Sequence, residues 1–324
     1  ELADAVLAAA AQSVVVLTCG APVELPFADR TDAMLLTYLC GEATAEAAAE
    51  ILFGKTNPSG KLAETFPLRL EDTPSYFNFP GTFDNCNYAE GIYIGYRYYE
   101  KKKIPVRFPF GHGLSYTTFA YSDLSGDENA VTLTVKNTGK RAGSEIVQVY
   151  MHDNAPYVSR PPKELCGYAK VALAPGEEKR VTIPIERRVY SFYDEARGDF
   201  CTRGGDYTLS VGAGSADIRA EIVVRVHGDA PKPVRVHRNT YFRDVVLDDR
   251  YAPARDIFAA AMLPHAERTP ENEALGITAE NPAVRRRMHY VLRQAFYHNP
   301  DCSEALIEET IAACNAALEN EPHK

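Results

Sequence analysis

YAEGIYIGYRYYEKKKIPVRFPFGHGLSYTTF, residues 88–119, is the stretch whose reading decides the fold. Nine aromatic side chains (Tyr88, Tyr93, Tyr96, Tyr98, Tyr99, Phe108, Phe110, Tyr116 and Phe119) alternate there with Gly91, Gly95, Gly111 and Gly113. Glycine permits positive φ and close backbone approach, so the stretch is not one regular strand or helix. The residues before it read α/β and the residues after it read all-β. The stretch is therefore expected to be an ordered seam between two domains.

Upstream, residues 1–11 (ELADAVLAAAA) read as a helix, and residues 13–19 (SVVVLTC) as a strand closed by Gly20. Residues 33–39 (AMLLTYL) give a second apolar strand, followed by Cys40-Gly41-Glu42 and an alanine-rich helix to about Phe53. Runs apolar on both faces suit strands of a parallel sheet. Two strands and two helices bury too little surface to stand alone, so further strands upstream of residue 1 are expected. Ligands of open α/β sheets gather beyond the carboxyl ends of strands, which draws attention to Cys19-Gly20 and Cys40-Gly41. Neither cysteine has a neighbouring histidine, and packed thiols with tight strand-exit turns are the reading adopted.

Downstream the period changes to two. Val131, Leu133 and Val135 begin a series continued by residues 145–151, 164–171, 181–185, 189–194, 207–211 and 218–226, with turn chemistry between them. Seven short strands predict an immunoglobulin-like or fibronectin type III-like sandwich, with Tyr207 placed as its tyrosine corner. His152-Asp153 falls at a strand end, not in a metal site, because adjacent strand residues face opposite ways. From Asp229 a proline-containing crossing leads to helices. One is expected near residues 251–263, one at 283–298 after Asn281-Pro282, and one at 303–319 capped by Asp301 with Glu304. Ile307, Ile311, Cys314 and Leu318 form an apolar stripe on the last. His289 and His298 are read as core or surface residues.

Composition narrows the function. A net charge of −9 opposes nucleic-acid binding, and Lys101–Lys103 and Arg285–Arg287 read as solvated runs. No segment has the length of a membrane span. The seven cysteines match no zinc spacing or disulfide framework, which favours reduced thiols and a cytoplasmic setting. Neither a cofactor motif nor a metal-ligand cluster is read.

Three runs carry a resemblance: residues 40–62 (CGEATAEAAAEILFGKTNPSGKL), 88–99 (YAEGIYIGYRYY) and 108–119 (FPFGHGLSYTTF). Supporting matches are NTG at 137–139, PPKEL at 161–165, APGE at 174–177 and GDYTLSVG at 205–212. From about residue 13 to 228 the chain resembles the C-terminal portion of a glycoside hydrolase family 3 enzyme, the family of many bacterial β-glucosidases. The last hundred residues resemble the helical extension of some members.

The resemblance implies a TIM-like barrel, an α/β sandwich and a fibronectin type III-like domain in one retaining exo-glycosidase with two catalytic carboxylates. It puts the nucleophilic Asp in the barrel and the acid/base Glu in a loop before the first helix, and no position here matches either motif. The expected division is 1–75 (α/β), 76–120 (aromatic seam), 121–228 (sandwich) and 229–324 (helical). Phe77, Phe79 and Tyr88 are candidates to line a sugar site. Glu90 and Arg97 are expected to pair structurally at the junction. The implied substrate is an oligosaccharide or β-glucoside, and the implied partner is an N-terminal barrel. A free-standing carbohydrate-binding or structural module, and one subunit of a split enzyme, are the alternatives.

Overall fold

The computed structural model describes residues 2–156, 158–194, 198–229, 235–247 and 249–319. The chain forms two compact units, residues 1–192 with 201–229, and residues 193–200 with 230–324.

The first unit opens with α1 (Leu2–Ala9), β1 (Val14–Leu17), β2 (Ala33–Leu36) and α2 (Thr44–Leu52). β1 and β2 pair in parallel, Val14 opposite Ala33 through Leu17 opposite Leu36. Val14 and Val16 remain 55% and 45% exposed, so within the described residues this pair is only partly covered. The seam contributes β3 (Phe66–Pro67), α3 (Tyr96–Lys102) and β4 (Val106–Phe108), with β3 and β4 paired antiparallel.

The strands that follow are β5 (Phe119–Gly126), β6 (Ala130–Asn137), β7 (Gly143–Asp153), β8 (Glu164–Leu173), β9 (Glu178–Pro184), β10 (Ser191–Asp194), β11 (Asp199–Thr202), β12 (Gly205–Gly214) and β13 (Asp217–Val226), and all but β10 and β11 belong to the sandwich. One sheet runs β13-β12-β7-β8 and the other β5-β6-β9. Alternate residues of facing strands fill the space between them: Val131, Leu133 and Val135 from β6, Val147 and Val149 from β7, Leu209 and Val211 from β12, all fully buried. The hydroxyl of Tyr207 donates to the Arg203 carbonyl at 3.1 Å, the tyrosine-corner bond expected of it.

Seven strands do build the sandwich, but they are not the seven expected. Residues 189–194 belong to a short helical turn and to β10, which pairs with β11 in a separate ribbon. The remaining place is taken by β5. Its period is broken by a register shift between Ser122 and Ser125 and by positive φ at Asp123, which hid it from an alternation test.

The second unit contains α4 (Phe242–Val246), α5 (Arg255–Met262), α6 (Pro270–Ala274), α7 (Pro282–Arg287), α8 (Ala295–His298) and α9 (Glu304–Glu319) around Phe242, Phe258, Met262, Ile307 and Cys314. Asn281 caps α7, accepting from the backbone N–H of Ala283 and Val284. The single helix expected at 283–298 is interrupted after Arg287, where Tyr290 and His298 stack at 3.8 Å. Ser303, not Asp301, caps α9 by accepting from Leu306 N, while Asp301 accepts from His265 N. The Leu318 side chain and part of the crossing (residues 230–234) lie outside the described residues.

Arg285–Arg287 is not a uniformly solvated run. Arg287 is buried, and it and Arg286 both donate to Glu267, at 2.7 Å and 2.9 Å to Oε2. The Arg287 hydrogen bond is the leading cause that lowers the Glu267 carboxyl from 4.5 to about 2. A depressed folded-state value stabilises above the unfolded value and loses that contribution as pH falls through the folded one. The helical unit should therefore lose stability from about pH 4.5 to about pH 2. Glu267→Gln should remove that part of the pH dependence, measured by amide exchange of α5 and α7 residues across that window.

Candidate functional site

The NPSGKL turn and the seam are held to the sandwich at two places. Asn57 accepts at Oδ1 from Ser115 Oγ (3.0 Å) and Tyr116 N (2.9 Å), and its amide donates to the Ala142 carbonyl (2.9 Å). Leu62 N donates to His112 O and Gly111 N to Leu62 O, both at 2.8 Å. The Tyr116 hydroxyl reaches the Ile51 carbonyl at 2.8 Å. The NPSGKL turn and the FGHGLSY segment are thus one hydrogen-bonded layer. Gly113 lies so close to Gly60 that a Cβ would sit 2.3 Å from the Gly60 carbonyl oxygen.

α3 forms the second attachment. Buried Tyr96 stacks on Phe110 at 4.7 Å, meets Tyr150 of β7 edge-on at 6.0 Å, and accepts at its hydroxyl from Leu165 N of β8 at 2.7 Å. Around it, Arg97 reaches Glu164 at 3.5 Å, Arg160 reaches the same carboxylate at 2.9 Å, and Lys163 reaches Glu100 at 3.3 Å. The PPKEL run at 161–165 therefore supplies the sandwich half of a charged clasp. Burial raises the Glu100 carboxyl and pushes Tyr99 up to about 12. A second half-hidden group joins Lys61, Tyr121 and Arg219 to the buried Glu145, and burial lowers the Lys61 ammonium.

The carboxylate partner of Arg97 is Glu164 of β8, not Glu90. Among the described residues Glu90 makes no ion pair with Arg97. Glu90 lies instead in a cleft of about 350 Å³, with Tyr93, Tyr98, Lys101 and Ser159 among its walls. Its Oε2 is buried and has no hydrogen-bond partner among the described residues. Leaving a buried acceptor unsatisfied costs about 1–3 kcal/mol, more for a charged one. Tyr93 and Ser159 share a hydrogen bond across the cleft, and the Lys101 ammonium stands 5.8 Å from the Tyr93 ring centroid.

Phe77, Phe79 and Tyr88 are on the neighbouring loop, 92%, 73% and 84% exposed, with Phe83 fully exposed between them. The Phe77 ring contacts Tyr76 edge-on at 5.5 Å. The loop holds aromatic faces outward, as a wall needs, but the structure does not bring Phe77, Phe79 or Tyr88 into the Glu90 cleft. Tyr93, Tyr98 and Lys101 escaped attention as cleft residues because only the helical turn of α3 sets Tyr98 and Lys101 on one face. Ser159 lies more than sixty residues away and carries no local signal.

The architecture is a parallel α/β element clasped through an aromatic seam to a fibronectin type III-like sandwich. Residues 1–116 match the family model "Glycosyl hydrolase family 3 C-terminal domain" and residues 145–215 the "Fibronectin type III-like domain". The chain belongs to glycosyl hydrolase family 3. It is 45% identical over 260 residues to thermostable beta-glucosidase B of Acetivibrio thermocellus, covering 78% of this chain and 34% of that protein. It is 43% identical to probable beta-glucosidase I of Aspergillus flavus, covering 69% of this chain and 28% of that one. The structure resembles Bifidobacterium adolescentis GH3 beta-glucosidase, with a TM-score of 0.71 and 38% identity over 76% of this chain and 37% of that one. It also resembles the Kluyveromyces marxianus beta-glucosidase solved in complex with glucose, with a TM-score of 0.67 and 42% identity over 70% of this chain and 28% of that one. The chain spans about a third of the length of these relatives.

The clasp makes two substitutions diagnostic. Gly111 has φ +77°, and a Cβ there would lie 2.3 Å from Gln148 Oε1 and 2.9 Å from Gly214 Cα. Gly111→Ala should destabilise the first unit by about 2 kcal/mol or more. Tyr96→Phe, which orphans Leu165 N and removes the hydroxyl's contact with Arg97, should cost about 1–3 kcal/mol. Denaturant melts in which Gly111→Ala leaves the stability of the first unit unchanged would contradict this account of the seam.

Proposed function

We propose that this chain is the α/β-plus-sandwich part of a β-glucosidase-type enzyme that removes terminal β-linked glucosyl groups. The observation that carries the reading is the likeness, at 38–45% identity, to proteins named beta-glucosidase, across both the seam and the sandwich. The glucose in the Kluyveromyces marxianus complex supports a glucoside as substrate. The reaction is retaining: one carboxylate attacks the anomeric carbon, and a second protonates the leaving oxygen and then activates water. Both carboxylates lie in polypeptide outside this chain, in an N-terminal barrel and the loop beyond it. The relatives' greater length supports that division.

Within such an enzyme the chain has two roles. The loop bearing Phe77, Phe79 and Tyr88 presents aromatic faces on which a sugar ring stacks, and Arg97 holds the seam to the sandwich through Glu164. The half-buried clasp is structural, since both of its sides belong to the scaffold. No helix among the described residues is long and apolar enough to cross a membrane. The seven free cysteines support a reducing, cytoplasmic setting.

Assayed alone on an aryl β-glucoside, the chain should give no turnover. Fused behind the preceding region of thermostable beta-glucosidase B, it should give turnover. In that fusion Arg97→Ala should lower the melting temperature and leave kcat of the folded enzyme unchanged. Turnover by the isolated chain, or a large kcat loss at unchanged stability, would overturn the reading.

A further inference from the structure

We propose that Phe83, at the tip of the exposed aromatic loop, is a sugar-contacting residue that sets how tightly the enzyme holds its substrate. Phe83 and Asp84 are the two central residues of a β-hairpin turn. Thr82 N donates to Asn85 O at 3.0 Å, and Asn85 N donates to Thr82 O at 3.2 Å. Gly81, at φ +100°, lets the two arms close, since a Cβ there would lie 2.2 Å from the Asn85 carbonyl oxygen. Phe83 has φ +55°, a left-handed conformation at the first central position, where such tight turns place glycine. For a bulky residue with a Cβ that conformation is strained.

Nothing in the described fold offsets that strain. The Phe83 side chain is 100% exposed, so it packs on nothing and leaves its whole ring in water. Glycine or asparagine would make the same turn with less strain and without the exposed ring. Strain at a position that contributes no packing points to a contact made outside the described fold. The surrounding loop selects the class of that contact. From residue 76 to 88 it carries five aromatic rings and three asparagines but a single charged side chain, Asp84. Asn85 and Asn87 are exposed beside the tip. A primary amide both donates and accepts, as adjacent sugar hydroxyls require, and a phenyl face covers the C–H side of a pyranose ring. With one carboxylate and no basic side chain, the loop itself offers an anion no partner, whereas a purely apolar partner would bury the amides unpaired. The sugar as ligand rests on the glucosidase reading above; the strain and exposure of Phe83 do not.

The test pairs stability with kinetics, in the intact chain and in the fusion enzyme described above. Phe83→Asn should leave the melting temperature of both unchanged or raise it by a few degrees, because it relieves strain and removes no packing. In the fusion the same variant should raise KM for cellobiose by about threefold to tenfold at unchanged kcat, the loss of one stacked ring. Phe83→Gly should repeat that result, and Phe83→Tyr should keep the wild-type KM. An unchanged KM in the folded Phe83→Asn enzyme overturns the proposal and leaves the glucosidase reading standing. A lowered melting temperature of the fusion at unchanged KM also overturns it, because the ring would then be covered by upstream polypeptide. Should the wild-type fusion be inactive, saturation-transfer NMR of the intact chain with cellobiose decides. Transfer to the sugar C–H protons that disappears in Phe83→Asn sustains the contact while the glucosidase reading falls. No transfer, or equal transfer in wild type and Phe83→Asn, overturns the proposal.

Discussion

The buried amide of Gln148 is the contact on which the first unit most depends. It donates to the carbonyls of Ala213 at 2.8 Å and Gly111 at 3.3 Å and accepts from the Tyr150 hydroxyl at 2.6 Å. One side chain on β7 thus satisfies the end of β12, the seam backbone and a core tyrosine at once. Its oxygen occupies the space a Cβ at position 111 would need, so glycine there is a steric requirement of the joint. Buried polar groups carry a high cost when unmatched, and a network matched this fully fixes one arrangement of seam on sandwich.

The rest of the joint is ordered outward from that contact. Tyr96 packs between Phe110 and Tyr150, which turns α3 so that Arg97 and Glu100 face the 160–164 segment. The opposite face of α3 is left to line a cleft with Glu90. The same short helix therefore divides its labour, with charged pairs toward the sandwich and tyrosine and lysine toward open space. The exposed aromatic loop next to it is costly in water, and it has a clear use only where a ring or another protein surface covers it.

Parts of this were legible in residue order because they depend on local chemistry. Alternation of Val131, Leu133 and Val135 reported the sandwich core, Tyr207 reported its corner, and Asn281-Pro282 reported a helix start. β5 was not legible: its bulge and the positive φ at Asp123 destroy the period that identifies a strand, and pairing with β6 alone reveals it. Arg285–Arg287 was misread for a related reason. A charge run announces its composition, but whether Arg287 is solvated depends on where Glu267 arrives from twenty residues away.

The seam shows the division most clearly. Its motifs, its glycines and its membership of a family were set by the amino-acid sequence, because steric permission at Gly111 and Gly113 is a property of single residues. Which carboxylate Arg97 would meet was decided only in three dimensions. Glu90 is seven positions away along the chain, yet Glu164 is the one carried to it when β8 packs on α3. That left Glu90 facing Tyr93, Tyr98, Lys101 and Ser159, a grouping assembled from a turn, a helix face and a distant loop. No local spacing encodes it; the packing of the sandwich on α3 brings these groups together.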